Sequence, residues 1–296
     1  MQNTQIRHNN HHLQTTIPNF LLVGATKAAT TWLYECLQEH PEIYVPDLKE
    51  VNYFSRRYEQ GIDWYLSFFD NVQSETAIGE LSPSYFTSEA APSRIYELNP
   101  NVRLIVMLRH PIQRAYSQYC MELRYNTVSD NIEQEFNLDS NIVRESLYYQ
   151  QIGKFRRLFP ATNFKFIIFD DIKKNPQGVL QDLYHFLGVE PNFVNQAIAK
   201  PSYAKQPRQK FQQLYTILVA IYRWLNNNSK IGRKILNLIK EQGLNEKFHR
   251  LNATKKQYPQ LSTSKKQELA DFYRSDIQQL SQLLDRDLSH WLSIDP

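Results

Sequence analysis

Lys27 is the residue of this chain most clearly placed to do chemistry. It stands three residues after Gly24 in the run Gly24-Ala25-Thr26-Lys27-Ala28-Ala29-Thr30-Thr31, a turn of small and hydroxylated residues around one ammonium group. Successive backbone N–H groups of such a turn point inward, the first turn of a following helix adds unpaired donors and its positive dipole end, and the lysine adds a full charge. That chemistry is the binding of an anionic group. Walker A spacing does not fit, because that loop sets Gly-Lys-Ser/Thr at its end, whereas Lys27 is followed by Ala28 and Ala29.

A phosphate cradle needs a strand before it and a helix after it. Asn19 to Val23 read as a short buried strand, Gly24 to Thr30 as the turn, and Thr31 onward as a helix with apolar positions at Leu33, Cys36 and Leu37. Arg103 to Leu108 is a continuous apolar run, the mark of a central parallel strand, and it ends at Arg109. A helix follows at once from Pro111 through Arg124, carrying Arg114 and Ser117. Phe164 to Phe169 is another buried strand, closed by Asp170 and Asp171. Ala91 to Leu98 and Pro176 to Leu187 read as helices, the second capped by Gly188. Gly61 to Phe69 reads as an aromatic helix and Ala77 to Phe86 as a strand running into a Ser-Pro turn. Residues 126–143 read as a long polar loop with a short helix, and Arg144 to Phe159 as an amphipathic segment.

The 296 residues can bury a sizeable core and suit one α/β domain with decoration or two small domains. With 18 Tyr, 16 Phe and only 8 Gly, the composition is globular. A net charge of +4 favours anionic ligands weakly, and no basic stripe precedes residue 200, which argues against a nucleic-acid partner. Cys36 and Cys120 fall inside helical patterns, as buried thiols of a reducing compartment would. Zinc spacing is absent, and His8, His11 and His12 sit in a polar leader, residues 1–17, read as disordered. That leader lacks the apolar core of a signal peptide, so the expected location is cytoplasmic.

From residue 200 the composition shifts. Phe211 to Leu225 reads as an apolar helix too short to span a bilayer, and Ser229 to Lys240 as a basic amphipathic one. Together they suggest a helical insertion at about 205–250, with packing, a dimer face or a peripheral membrane contact through 211–240 as its roles. Ser262 to Leu284 reads as the last helix, with Asp285 to Leu292 packing down after it.

The order Gly-x-x-Lys-x-Gly-Thr-Thr resembles the 5'-phosphosulfate-binding loop of the sulfotransferases that use 3'-phosphoadenosine 5'-phosphosulfate (PAPS), with Ala29 standing where that family usually has Gly. Ala serves if the site needs close approach only, and strains the loop if its φ is positive. Glu50-Val51-Asn52-Tyr53-Phe54 resembles the Glu-Val/Ile-x-Phe/Tyr-Phe motif of the heparan-sulfate class, which implies that Glu50 is the general base for the acceptor hydroxyl or amine. Arg109 and Ser117 match the family's strand-end Arg and helical Ser that hold the 3'-phosphate. Ser146-Leu147-Tyr148 resembles a stretch that packs beside the nucleotide. Lys255 or Lys256 falls where those enzymes close a cationic loop over the 3'-phosphate. Leu81 departs from the pattern, since eukaryotic members carry a Lys there that contacts donor and substrate.

The resemblance covers residues 18–292 and implies a bacterial-type, PAPS-dependent sulfotransferase domain. The implied fold is α/β, a P-loop-like, mostly parallel sheet flanked by helices, with a C-terminal helical insertion. PAPS is the implied sulfuryl donor, bound by Gly24, Ala25, Thr26, Lys27, Ala28, Ala29, Thr30, Thr31, Arg109, Ser117 and Lys255 or Lys256, with Lys27 and Glu50 catalytic and no metal expected. The acceptor is a carbohydrate, a lipid or another small molecule. Two other classes remain open: a P-loop kinase, in which Asp170 or Asp171 would hold Mg²⁺, and a non-catalytic binding module that keeps the loop and dispenses with Glu50.

Overall fold

A computed structural model describes residues 16–199 and 257–294. The leader up to residue 15, the helices read within 205–250 with their membrane-contact face at 211–240, and Lys255 and Lys256 lie outside the described residues.

Five strands form one sheet: β1 (Phe20–Gly24), β2 (Ile43–Tyr44), β3 (Ala77–Leu81), β4 (Arg103–Leu108) and β5 (Phe164–Ile168). Their order is β2-β3-β1-β4-β5 and every pairing is parallel. Parallel neighbours require crossovers, and helices supply them. In chain order the α-helices of the described residues, the last three of them after β5, are α1 (Thr30–Glu39), α2 (Tyr53–Arg56), α3 (Ile62–Leu66), α4 (Ala91–Leu98), α5 (Pro111–Arg124), α6 (Ile132–Glu135), α7 (Asn141–Arg144), α8 (Tyr148–Arg156), α9 (Phe169–Lys174), α10 (Pro176–Leu187) and α11 (Thr263–Leu284). The α/β class, the parallel sheet and the strands read from the apolar runs are as expected.

Strand alternation divides the interior in two. Leu21, Val23, Leu104, Val106 and Leu108 face one core, shared with α5, α8 and α11, while Phe20, Leu22, Ile105 and Met107 face a second, shared with α1 and α10. Both faces of β1 and β4 are therefore covered, which is why their sequences run apolar without interruption. The chain leaves β1 toward β3 on one side and β4 on the other. A crevice opens where strand order reverses in this way, at the carboxyl ends of β1 and β4.

Two stretches differ from the sequence reading. Residues 126–143 hold two short helices rather than one, because Asn131 Oδ1 and Ser140 Oγ each accept from a backbone N–H three residues on and cap a turn. The amphipathic segment from Arg144 to Phe159 is broken between α7 and α8, where Ser146 turns inward to accept from Arg114 Nε at 2.5 Å and donate to the Pro111 carbonyl at 3.2 Å. Helix α8 then starts under Asp276 of α11, whose carboxylate accepts from the Tyr149 and Gln150 N–H groups at 3.0 and 3.1 Å.

After α11 the chain turns through a left-handed Asp285 and clasps the end of β5. Arg286 forks onto Asp171 at 2.5 and 2.7 Å, and the buried Trp291 donates its Nε1 proton to Asp170 at 3.2 Å. No helix among the described residues is long and apolar enough to cross a membrane.

Candidate active site

Gly24 ends β1 where no side chain fits, since a Cβ there would collide with Phe86. Ala25 then donates its N–H to the Met107 carbonyl at 2.8 Å and ties the loop to β4. Lys27 and Ala29 both take left-handed backbone, with φ of 66° and 72°. At Ala29 that conformation costs about 1–2 kcal/mol relative to a right-handed residue, so the loop carries the strain that an Ala at this point implies. Helix α1 begins at Thr30 with no side-chain cap, leaving first-turn N–H groups to face whatever binds in front of them.

The loop opens into a cavity of about 750 Å³ lined by Thr26, Lys27, Ala29, Thr30, Thr31, Glu50, Arg109 and Ser117, together with residues of α5 and the 49–56 segment. Most of the site residues read from the sequence thus share one cavity. Gly24, Ala25 and Ala28 do not line it; they are buried beneath as the loop's scaffold.

Burial holds the Lys27 ammonium down to about 8, with Arg124, Arg109 and Lys49 adding to the effect and Glu50 opposing it. Its Nζ lies 3.5 Å from Met121 Sδ, a weak acceptor. Arg109 donates from Nη1 to the Lys27 carbonyl at 3.3 Å and lies over the Phe169 ring, 4.6 Å from its centre. Its buried Nε has no partner among the described residues, and burial lowers its pKa. Cations crowded into one cavity with an unmet guanidinium donor suit the phosphate groups of a nucleotide bisphosphate. Glu50 stands across from them, ion-paired to Lys49 at 2.8 Å.

Two groups behind the cavity, Arg114 and Glu80, escaped the sequence reading of roles. Arg114 is fully buried and reaches Thr26 Oγ1 at 3.2 Å, Ser146 Oγ and the Ile142 carbonyl at 2.5 Å each, and Glu145 at 3.4 Å, so it braces the phosphate loop from below. A second arginine five residues beyond Arg109, on the helix that follows, was the signal available. Tyr148 donates to the Arg109 carbonyl at 2.7 Å, so the Ser146-Leu147-Tyr148 stretch supports the two arginines and does not line the cavity. Glu80 is buried within β3, and nothing in its spacing marked it. Leu81 lies in the apolar core, and among the described residues the cations lining the cavity beyond Lys27 and Arg109 are Lys49, Arg56 and Arg124.

The model of the sulfotransferase domain matches residues 18–282. The chain belongs to the sulfotransferase family. Among the relatives of this sulfotransferase is human heparan sulfate glucosamine 3-O-sulfotransferase 6, 30% identical over 181 residues, a match covering 58% of this chain and 53% of that protein. The chain thus spans about half the length of such relatives. The membrane-associated sulfotransferase kil1 of Dictyostelium discoideum is 22% identical over 315 residues, covering 75% of this chain and 65% of that one. The crystal structure of a sulfotransferase from Alicyclobacillus acidocaldarius superposes with a TM-score of 0.68 at 24% identity, covering 94% of this chain and all of that one, and shares the fold.

Family membership does not favour the kinase reading, and neither does the end of β5. Asp170 and Asp171, the acids that reading needs, are taken up by Trp291 and Arg286.

Proposed function

We propose that this sulfotransferase moves the sulfuryl group of PAPS to a hydroxyl or amine of a carbohydrate acceptor by in-line displacement. The observation that carries the reading is the single cavity in which Lys27, the open N-terminus of α1, Arg109, Ser117 and Glu50 meet. Relatives named for heparan sulfate glucosamine sulfation support a sugar as acceptor, with lipid or other small acceptors as the wider class.

Acceptor oxygen or nitrogen attacks sulfur while Glu50 takes its proton, and the bond from sulfur to the bridging oxygen breaks with its electron pair left on the 5'-phosphate. Lys27 and the amides from Ala29 to Thr31 neutralise the charge gathering on that bridging oxygen and phosphate. Arg109 and Ser117 hold the 3'-phosphate, so the donor is fixed at both ends before transfer and the gain comes from positioning. Cys36 and Cys120, buried and not joined in a disulfide, support a reducing, cytoplasmic setting.

Calorimetric titration with 3'-phosphoadenosine 5'-phosphate, set against ATP with Mg²⁺ and repeated on Arg109→Ala, tests the reading. Metal-independent binding that is lost in Arg109→Ala is expected. Preference for ATP with Mg²⁺, or no binding of either nucleotide, overturns it.

A further inference from the structure

Glu80 is 1% exposed inside the sheet, where a carboxylate is costly unless its oxygens are satisfied. Both are. Ser82 donates to Oε2 and Tyr85 to Oε1, each at 2.5 Å. A serine hydroxyl has one proton, so once Ser82 gives it to Glu80 only lone pairs remain on the other side. One of these accepts the Asn52 N–H at 2.8 Å.

Asn52 hands the contact on to the cavity. Its Nδ2 donates to the Glu50 carbonyl at 2.7 Å, and its Oδ1 accepts from Ser84, which shares a 2.8 Å bond with Ser55. Asn52 and Glu50 are both left-handed, with φ of 57° and 65°. Asn tolerates that region far better than Glu does, and two left-handed residues so close together persist only when their surroundings over-determine them. Other than the Lys49 pair, the hydrogen bonds described around Glu50 run through Asn52.

We propose that Glu80 is a positioning residue for sulfuryl transfer, holding the backbone of Glu50 in its cavity-facing conformation through Ser82 and Asn52. The inference rests on the reading of Glu50 as the base. Glu80 touches neither donor nor acceptor. It orients the Ser82 hydroxyl, the hydroxyl anchors Asn52, and Asn52 sets where the Glu50 carboxylate can reach.

The test uses the full chain carrying Glu80→Gln, with Ser82→Ala as a second variant should the first fail to fold. Gln keeps the shape but puts a donor where one hydroxyl now donates, so one hydroxyl must turn round. Hydrogen exchange at the Asn52 amide, which needs no acceptor, should be about five- to tenfold faster in both variants, with β4 amides unchanged. Transfer from PAPS to an unsulfated glucosamine-containing oligosaccharide should lose about hundredfold in kcat with KM for PAPS unchanged, as expected for a displaced base. In a Glu50→Gln background, Glu80→Gln should cost no further kcat. Unchanged Asn52 exchange, unchanged kcat, or a loss that adds in full to that of Glu50→Gln overturns the proposal. Full turnover by Glu50→Gln alone would instead remove the base reading, a result independent of the exchange measurement.

Discussion

At the loop end of the cavity, the groups facing an anion are backbone N–H donors and side chains fixed where β1 and β4 stop and α1 and α5 begin. At the Glu50 end, the carboxylate stands on coil whose conformation is held by side-chain hydrogen bonds among Glu80, Ser82, Ser84 and Asn52. Regular elements set the first end by packing, and a chain of polar contacts sets the second. The difference suits the two tasks. A nucleotide presents the same phosphates each time, so its site can be built rigidly into the sheet. In the function proposed above, the Glu50 end admits the acceptor beside a half-buried carboxylate, and it keeps its geometry by local bonds that cost little buried surface.

The comparison breaks first at Arg114, which braces the loop end from beneath through Thr26. Arg114→Met should lower stability by about 3–5 kcal/mol, because Glu145, Ser146 and the Ile142 carbonyl lose their buried partner. Urea unfolding midpoints check it, and a loss well under 1 kcal/mol, about the worth of a single neutral hydrogen bond, would show that packing alone fixes the loop. Next in size, Lys27→Ala should reduce kcat by about a hundred- to a thousandfold with a smaller loss of nucleotide affinity, since its charge matters most as the phosphate departs. Steady-state kinetics set beside calorimetry separate the two effects.

A finer test is protonic. Lys27 sits near 8 in the free protein because burial and neighbouring cations disfavour its ammonium. Phosphate in the loop favours the ammonium and raises that value, so binding of 3'-phosphoadenosine 5'-phosphate at about pH 9 should take up a proton. Heats measured in buffers of different ionisation enthalpy report the uptake, and Lys27→Met should abolish it. Affinity accordingly falls as pH rises through the free-protein value. The smallest expected effect is at Ala29, where Gly removes left-handed strain but adds unfolded-chain entropy, for a net gain of under about 1 kcal/mol in the unfolding midpoint.

These ends were unequally legible in the sequence. Apolar runs such as Arg103 to Leu108 and the small-residue turn at Gly24 announce strands and a loop because burial on both faces and close backbone approach restrict residue type directly. Arg109 and Ser117 were singled out by resemblance to the family's strand-end Arg and helical Ser, and the structure places both on the cavity wall. Arg114 was visible as a residue yet not as a brace, since its partners come from α7 and the turn after it, which local pattern reads as one polar loop and one helix. Glu80 was invisible for a related reason. Its partners lie two and five residues ahead, but the consequence of those bonds appears at Asn52, far back in the chain and in a backbone conformation that composition does not encode.

The clasp on β5 bears on the time this chain needs to become complete. Arg286 and Trp291 find their partners across separations of 115 and 121 residues, and every strand pair of the sheet is parallel and so closes over a crossover of its own. Loop-closure entropy has to be met before such distant contacts return any free energy, which makes assembly of this kind slow. Until residues 286–291 dock, Asp171 lacks the Arg286 fork and Asp170 keeps only its local pairing with Lys173 among the contacts described. The clasp makes the finished molecule depend on its slowest contacts.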